Sequence, residues 1–155
     1  MAIVDLITQS VVKIPLEAEN KPSVLCELVQ VLKDAGRIED VDGVLEAIHR
    51  REDMGSTGLE FGIAVPHAKT DRVDRLTMAI GISKNGIDFD ALDGEPSMLF
   101  FFMLAPPDQT GPHIEALAEI AKIAKERKFC SRLMRASSAE EVVRLLREGA
   151  EFTTA

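Results

Sequence analysis

The sequence has few cysteines, no long apolar run and a shortage of positive charge, and each of these features excludes a class of protein. Its two cysteines, Cys26 and Cys130, lie in separate apolar-periodic segments, so we expect reduced thiols and no disulfide. The longest apolar run, residues 98–105, has eight residues, whereas a membrane-spanning helix needs about 20. With 18 Lys and Arg against 26 Asp and Glu, the net charge of −8 disfavours nucleic acid as a partner.

Motifs of the common nucleotide-binding and hydrolytic enzymes are also missing. The sequence has no glycine-rich phosphate loop, no dinucleotide fingerprint, no zinc-protease helix motif and no serine-nucleophile elbow. Its histidines, His49, His67 and His113, show no metal-ligand spacing, so we expect no metal and no cofactor. Residues 1–16 contain no basic leader and no cleavage site, which predicts a cytoplasmic protein that does not insert into the membrane.

The length and composition indicate one globular domain. The 155 residues are 46% apolar and 28% charged, and no internal repeat or linker divides them. We therefore predict a single domain over residues 1–155, with a core of about 3–148.

Apolar residues at the helical period predict two helices near each end of the chain. The first is capped by Asn20 or Ser23 and stops at Gly36, and the second runs from residue 40 to about 53. The third covers residues 112 to about 127. The last helix begins at a capping box, Ser138 to Glu141.

The middle of the chain has the patterns of strands. Residues 77–82 and 87–90 alternate, and Asn85-Gly86 between them predicts a tight hairpin turn. After a turn at Asp93-Gly94, the continuous apolar run 97–104 is typical of a central strand buried on both faces. Strands between two sets of helices predict an α/β sandwich, a sheet with helices on its faces, whose strand order the pattern leaves open.

The short apolar run 63–65 leads to the first candidate for chemistry. Pro66 keeps Val65 extended and ends the run, so the run delivers His67 to its end. Residues 68–72 are mostly polar, which predicts an imidazole at the edge of the core. An imidazole with a pKa of about 6.5 is largely neutral at the pH of the cytoplasm, so it can attack a phosphoryl group without a separate base. The alternative is a histidine that only caps a strand.

Other side chains suit phosphate. His113 is expected in the first turn of a helix and on its core-facing side, where the helix dipole favours an anion and lowers the imidazole pKa. Arg51 offers a planar fork, and Ser56 and Thr57 offer hydroxyls between two glycines. The alternatives are a hydrogen-bonded histidine at a helix end and a solvated arginine paired with Glu52.

Two further features have simpler interpretations. We interpret His49 as a surface residue. Residues 122–135 hold six basic side chains and one acidic side chain, which indicates either a solvated helical face or a docking patch for an acidic partner.

The motifs taken together resemble a known family. The matching segments are residues 51–52, 55–58, 62–67, 88–94 and 113–118. They are similar to the enzyme IIA proteins of the bacterial phosphoenolpyruvate-dependent sugar phosphotransferase system (PTS), in the fructose–mannitol and nitrogen-regulatory branch, known as PTS EIIA type-2 domains. The fold implied is an α/β sandwich with a mixed central sheet flanked by helices.

The resemblance also implies a phosphocarrier. Family members take a phosphoryl group from the carrier protein HPr onto a histidine that corresponds to His67, and pass it to a cysteine of a IIB partner. His113 matches the second active-site histidine, and Arg51 matches the phosphate-binding arginine. Ser56 and Thr57 match the hydroxyl pair that lines the pocket. The family needs no metal.

Two roles remain open from the resemblance. One is sugar uptake of the fructose or mannitol type, and the other is a regulatory nitrogen-branch protein whose phosphorylation state controls which partner it binds. The sequence departs from the common pattern at residues 59–61 and at Ala68. Phe61 is expected to alter the rim of the site, and with it the choice of partner or sugar.

Overall fold

A computed structural model describes residues 3–149 of the chain. Two short 3-10 turns, Ile3–Leu6 and Gln9–Val11, precede five strands and five α-helices within these residues. In chain order the elements are β1 Val12–Lys13, α1 Lys21–Asp34, α2 Val41–Asp53, β2 Ile63–Ala64, β3 His67–Lys69, β4 Thr77–Ile87, β5 Ser97–Ala105, α3 Thr110–Lys125, α4 Arg127–Met134 and α5 Ala139–Glu148.

The five strands form one mixed sheet with β5 at its centre. β4 and β5 pair antiparallel, and β1 pairs parallel with β4. On the edge of β5 away from β4, β2 pairs parallel with β5. β3 continues along that same side of β5. The side chains of Leu99 through Ala105 are fully buried, as expected for a strand covered on both faces. The predicted α/β fold with a mixed central sheet and flanking helices is confirmed.

Side-chain caps explain where three helices begin. The Asn20 side chain accepts a hydrogen bond from the Ser23 backbone N–H (2.9 Å), and Asp40 caps α2 in the same way. Ser138 Oγ accepts from the Glu141 N–H (3.1 Å) at α5. The Glu141 carboxylate bonds Ser137 instead of closing the capping box on Ser138.

The predicted hairpin turn at Asn85-Gly86 is wrong. Strand β4 runs on through these residues to Ile87, which pairs with Ser97, and the register shifts between Ile82 and Ile87. Gly86 has φ +82°, so it absorbs an irregularity within the strand. The true connection to β5 is the loop 88–96, which contains the predicted turn at Asp93-Gly94.

The predicted third helix differs from the structure at both ends. α3 begins at Thr110, so Pro112 lies inside the first turn, where a missing N–H costs little. It ends at Lys125, and a separate helix, α4, follows after Glu126. Glu126 has ψ 77°, which interrupts the helical hydrogen bonds between α3 and α4. The period of the apolar residues alone does not reveal this break. None of the helices in residues 3–149 is long and apolar enough to cross a membrane.

Candidate active site

The break between β2 and β3 presents His67. Pro66 has no N–H to donate, and regular pairing with β5 resumes only at His67, which lies opposite Met103. His67 therefore begins a strand, whereas the sequence predicted that it would follow the end of one. Its ring is half-buried, and Nδ1 lies 2.7 Å from the carbonyl oxygen of Val65. Because a carbonyl only accepts, Nδ1 carries the proton and the neutral ring has its lone pair on Nε2.

His113 packs edge-on against His67. The two ring centroids are 5.5 Å apart, with an interplanar angle of 74°. His113 is the fourth residue of α3, and its backbone N–H already bonds the carbonyl of Gln109, so it lies just past the free N–H groups predicted for it. The side chain is buried, as the stripe of apolar residues predicted. Within residues 3–149 its Nε2 atom has no hydrogen-bond partner.

Arg51 completes the group from the last turn of α2. One of its terminal nitrogens donates to the Gly55 carbonyl at 2.9 Å, which holds the side chain against the turn that ends the helix. Arg51, His67 and His113 line one cavity of about 300 Å³. The other lining residues are Ala47, Arg50, Met54, Ala68 and Lys69. The structure thus brings three of the predicted site residues around one space that carries positive charge, which suits an anion.

Burial and neighbouring cations keep both imidazoles neutral. Burial lowers the pKa of His67, and Arg51 lowers it further, while the hydrogen bond to Val65 and the Glu52 carboxylate oppose this shift. Burial also lowers the pKa of His113, and His67 and Lys69 add to the effect. Both rings are therefore neutral near pH 7, the state in which Nε2 of His67 is a nucleophile.

The hydroxyls of Ser56 and Thr57 are directed elsewhere. Ser56 Oγ donates to the Phe89 carbonyl at 2.7 Å, and Thr57 Oγ1 donates to the Glu52 carboxylate. Neither residue is among those that line the His67 cavity in the described part of the chain. Their role as phosphate-binding residues stays a prediction.

Glu52 is a residue whose importance the sequence did not reveal. The prediction placed it in the matching segment 51–52 and gave it no role beyond a partner for Arg51, but its side chain is 5% exposed and its carboxylate pairs with Lys21 Nζ at 2.9 Å. A carboxylate in the last turn of a helix opposes the helix dipole, and this unfavourable placement was a signal available in the sequence.

The remaining candidates lie outside the cavity. His49 is exposed, as predicted. Phe61 has φ +59° and lies under the Arg127 guanidinium, 3.5 Å from the ring centroid, beside a separate groove with Leu92. The basic side chains of 122–135 are exposed on α3, on α4 and at Arg135 just after α4, and their docking role stays a prediction. Residues 3–149 contain no group of three or more His, Cys, Asp or Glu side chains arranged to hold a metal.

Comparison with known sequences gives a consistent set of matches. A family model described as "Phosphoenolpyruvate-dependent sugar phosphotransferase system, EIIA 2" matches residues 5–149. The fructose-specific EIIABC component of Bacillus subtilis is 35% identical over 148 residues, which cover 96% of this chain but only 23% of that protein. The fructose-specific EIIA component of Haloferax volcanii is 38% identical, covering 80% of each chain. A nitrogen regulatory protein of Klebsiella oxytoca is 40% identical, covering 68% of this chain and 65% of that protein.

Solved structures match over nearly the whole chain. The nitrogen regulatory protein IIA-Ntr of Neisseria meningitidis has a TM-score of 0.86 at 33% identity, covering 93% of this chain and 98% of that one. The mannitol enzyme IIA of Escherichia coli, solved in complex with phosphorylated enzyme IIB, has a TM-score of 0.78 at 21% identity, covering 92% and 97%. At that identity the second match demonstrates a shared fold.

Proposed function

Because the chain belongs to the EIIA 2 family of the phosphoenolpyruvate-dependent sugar phosphotransferase system, whose members are phosphotransfer proteins, we propose that it carries a phosphoryl group on His67. The observation that carries the proposal is the hydrogen bond between Nδ1 of His67 and Val65. This bond leaves Nε2 as the free nucleophile beside His113 and Arg51.

In the proposed reaction the donor is the phosphohistidine of HPr. Nε2 of His67 attacks phosphorus as the N–P bond of the donor breaks, and the donor imidazole leaves with the bonding electron pair. The phosphoryl group then passes to a cysteine thiolate of a IIB partner, which regenerates the neutral His67. The ring that carries the phosphoryl group keeps a proton on its other nitrogen, so each ring departs as a neutral imidazole and no separate base is needed. The first step exchanges one P–N bond for another, and the second exchanges the P–N bond of His67 for a P–S bond.

His113 and Arg51 stabilise the group in flight. Charge spreads over three equatorial oxygens when a phosphoryl group transfers, and preorganised donors near those oxygens lower the barrier. His113 has a buried Nε2 without a partner among residues 3–149, and Arg51 is already held in place by Gly55. Ser56 and Thr57 remain predicted binding residues, although a phosphoryl oxygen would compete with Phe89 and Glu52 for their hydroxyls.

Sugar uptake of the fructose or mannitol type is the role we favour. The fructose-specific relatives and the mannitol IIA–IIB complex support a IIB acceptor, and the part of the Bacillus protein that matches this chain is 23% of its length. The second candidate is regulation by the phosphorylation state, supported by the nitrogen regulatory relatives. Genes for IIB and IIC proteins beside this one would favour uptake, and a sigma-factor gene would favour regulation. The cytoplasmic location and the domain bounds stay predictions.

The experiment is a reconstituted phosphorylation. The purified chain is incubated with phosphoenolpyruvate, enzyme I and HPr, and intact mass and peptide mapping locate the phosphoryl group. We expect one acid-labile group on His67, absent from the His67→Ala variant and present in His49→Ala, which removes an exposed histidine. Full uptake by His67→Ala would refute the assignment.

A further inference from the structure

A buried charge lies behind the candidate active site, where no function has been assigned. Glu52 is in the last turn of α2, and burying a carboxylate at a helix C-terminus is unfavourable. Three donors offset this cost. Lys21 Nζ lies 2.9 Å from one carboxylate oxygen, the Thr57 backbone N–H donates to the same oxygen at 3.3 Å, and the Thr57 hydroxyl donates to the other.

Lys21 is itself held on several sides. Its ammonium lies 3.3 Å from an Asp90 carboxylate oxygen and 4.6 Å from the centre of the Phe89 ring. The Phe89 carbonyl accepts a hydrogen bond from Ser56. The start of α1, the end of α2 and the loops at 55–58 and 88–90 therefore meet at the Lys21–Glu52 pair.

Hydrogen bonds connect this pair to the imidazole. The carboxylate of Glu52 holds Thr57 by its N–H and its hydroxyl. The Thr57 carbonyl accepts from the Val65 N–H at 2.9 Å. The Val65 carbonyl, two residues before His67, accepts from Nδ1 at 2.7 Å. Each of these hydrogen bonds depends on the relative orientation of its donor and acceptor. A shift of Thr57 therefore moves the Val65 backbone, whose carbonyl selects the tautomer of the His67 imidazole.

We propose that Glu52 is a positioning residue for His67, which it orients through Thr57 and Val65 so that Nε2 faces the phosphoryl group. The proposal rests on the phosphocarrier function given above. Without this support the Val65 carbonyl loses its fixed position, and the ring populates the tautomer whose Nε2 carries the proton and is no nucleophile. The other charged or titratable groups that line the His67 cavity are Arg50 and Arg51 on α2, Lys69 on its own strand and His113 on α3.

The first readout is the tautomer of His67, measured by long-range ¹H–¹⁵N correlation at neutral pH. We expect a single Nδ1–H form in the wild type and a mixture in Glu52→Gln, which keeps the size of the side chain but removes its charge. The control is Glu46→Gln, which breaks an exposed ion pair with Arg50 on the same helix and should keep the single form. An unchanged tautomer in Glu52→Gln overturns the proposal.

The second readout is the kinetics of phosphoryl transfer from phosphorylated HPr. For Glu52→Gln we expect kcat to fall about tenfold while KM stays near the wild-type value, since a misoriented nucleophile slows the step without changing docking. A variant that loses stability but keeps both kcat and the tautomer would be merely structural, which contradicts the proposal.

Substitutions at Thr57 keep the test decisive if Glu52→Gln fails to fold. Thr57→Val removes the hydroxyl that Glu52 accepts from and should produce part of the tautomer change, while Thr57→Ser keeps the hydroxyl and should restore the wild-type form. Equal tautomer ratios in these two variants argue against the relay. If the wild type takes up no phosphoryl group, the proposed function fails, but the tautomer measurement still decides whether Glu52 orients His67.

Discussion

The two ends of helix α2 border two very different spaces. At its N-terminal end is the larger one, a groove of about 840 Å³ lined by residues such as Asp40, Arg72 and Arg75. At its C-terminal end is the His67 cavity, of about 300 Å³. The ion pair of Arg72 with Asp40 in the groove is about half exposed, whereas Lys21 and Glu52 behind the cavity are 19% and 5% exposed.

This difference shows that space alone does not identify an active site. Charges in the groove pair with each other in contact with water, where an ion pair contributes about 0–1 kcal/mol and salt screens it. In the cavity the His113 side chain is buried and that of His67 is half-buried, the pKa values of both histidines are lowered, and one imidazole nitrogen has no partner within the described residues. Buried, oriented imidazoles are what the proposed phosphoryl transfer requires.

The sharpest test of the contrast removes the buried ring of the cavity. We expect His113→Ala to lower kcat for transfer from phosphorylated HPr by about a thousandfold, with a much smaller change in KM, because the ring acts on the phosphoryl group in flight. Rapid-quench measurement with labelled phosphorylated HPr checks this. His49→Ala is the matched control at an exposed site, and equal rates for His113→Ala and the wild type would exclude His113 from the mechanism.

Substituting one arginine in the cavity and one in the groove tests the difference between the two spaces directly. Arg51→Met should lower the transfer rate by about a hundredfold, since a donor to the equatorial oxygens is lost while an aliphatic side chain of similar length remains. Arg72→Met, in the groove, should leave the rate unchanged. The same transfer assay measures both variants, and a similar loss in the two would mean that the groove takes part in the reaction.

Stability should separate the two ion pairs as well. Lys21→Met leaves Glu52 buried without its cation, so we expect the free energy of unfolding to fall by about 2 kcal/mol, less than for a fully buried pair because Lys21 is partly exposed. Arg72→Met breaks an exposed pair and should cost less than about 0.5 kcal/mol. Urea unfolding at pH 7 measures both, and equal losses would mean that the buried and the exposed ion pair contribute equally to stability.

The pH dependence is the smallest expected effect. Because the pKa values of His67 and His113 are lowered in the folded state, protons bind first to the unfolded chain as the pH falls. The contribution of these two rings to the free energy of unfolding should be fully present above about pH 6.5. It should decline as the pH falls from there through the lower pKa values of the folded state. Urea unfolding at several pH values tests this against a His67→Gln/His113→Gln double variant, which should lack this part of the decline. NMR midpoints at or above 6.5 for both rings would contradict it.

Local signals were enough for much of the fold. The cap of α1, predicted at Asn20 or Ser23 and found at Asn20, the start of α2 near residue 40 and the apolar run in β5 are short-range features that the structure has where the sequence predicted. The hairpin at Asn85-Gly86 failed because pairing with Ser97 continues β4 past a dipeptide that otherwise favours a turn. The separate helix α4 was missed because the predicted third helix ran across Glu126 and stopped at about residue 127, whereas the backbone breaks at Glu126 and a new helix begins there.

The features of the candidate site also fall into those that local sequence predicts and those that depend on long-range contacts. Local sequence is enough to specify the residue types of the site and their local order: an imidazole after an X-Pro break, a second one near a helix start, and an arginine at a helix end. Long-range packing is what makes these three residues line one cavity, turns Ser56 and Thr57 toward Phe89 and Glu52, and pairs Glu52 with Lys21. Periodicity and capping act over a few residues, whereas these contacts join segments up to 62 positions apart, from Arg51 to His113, which come together only when their helices pack against the paired strands β3 and β5.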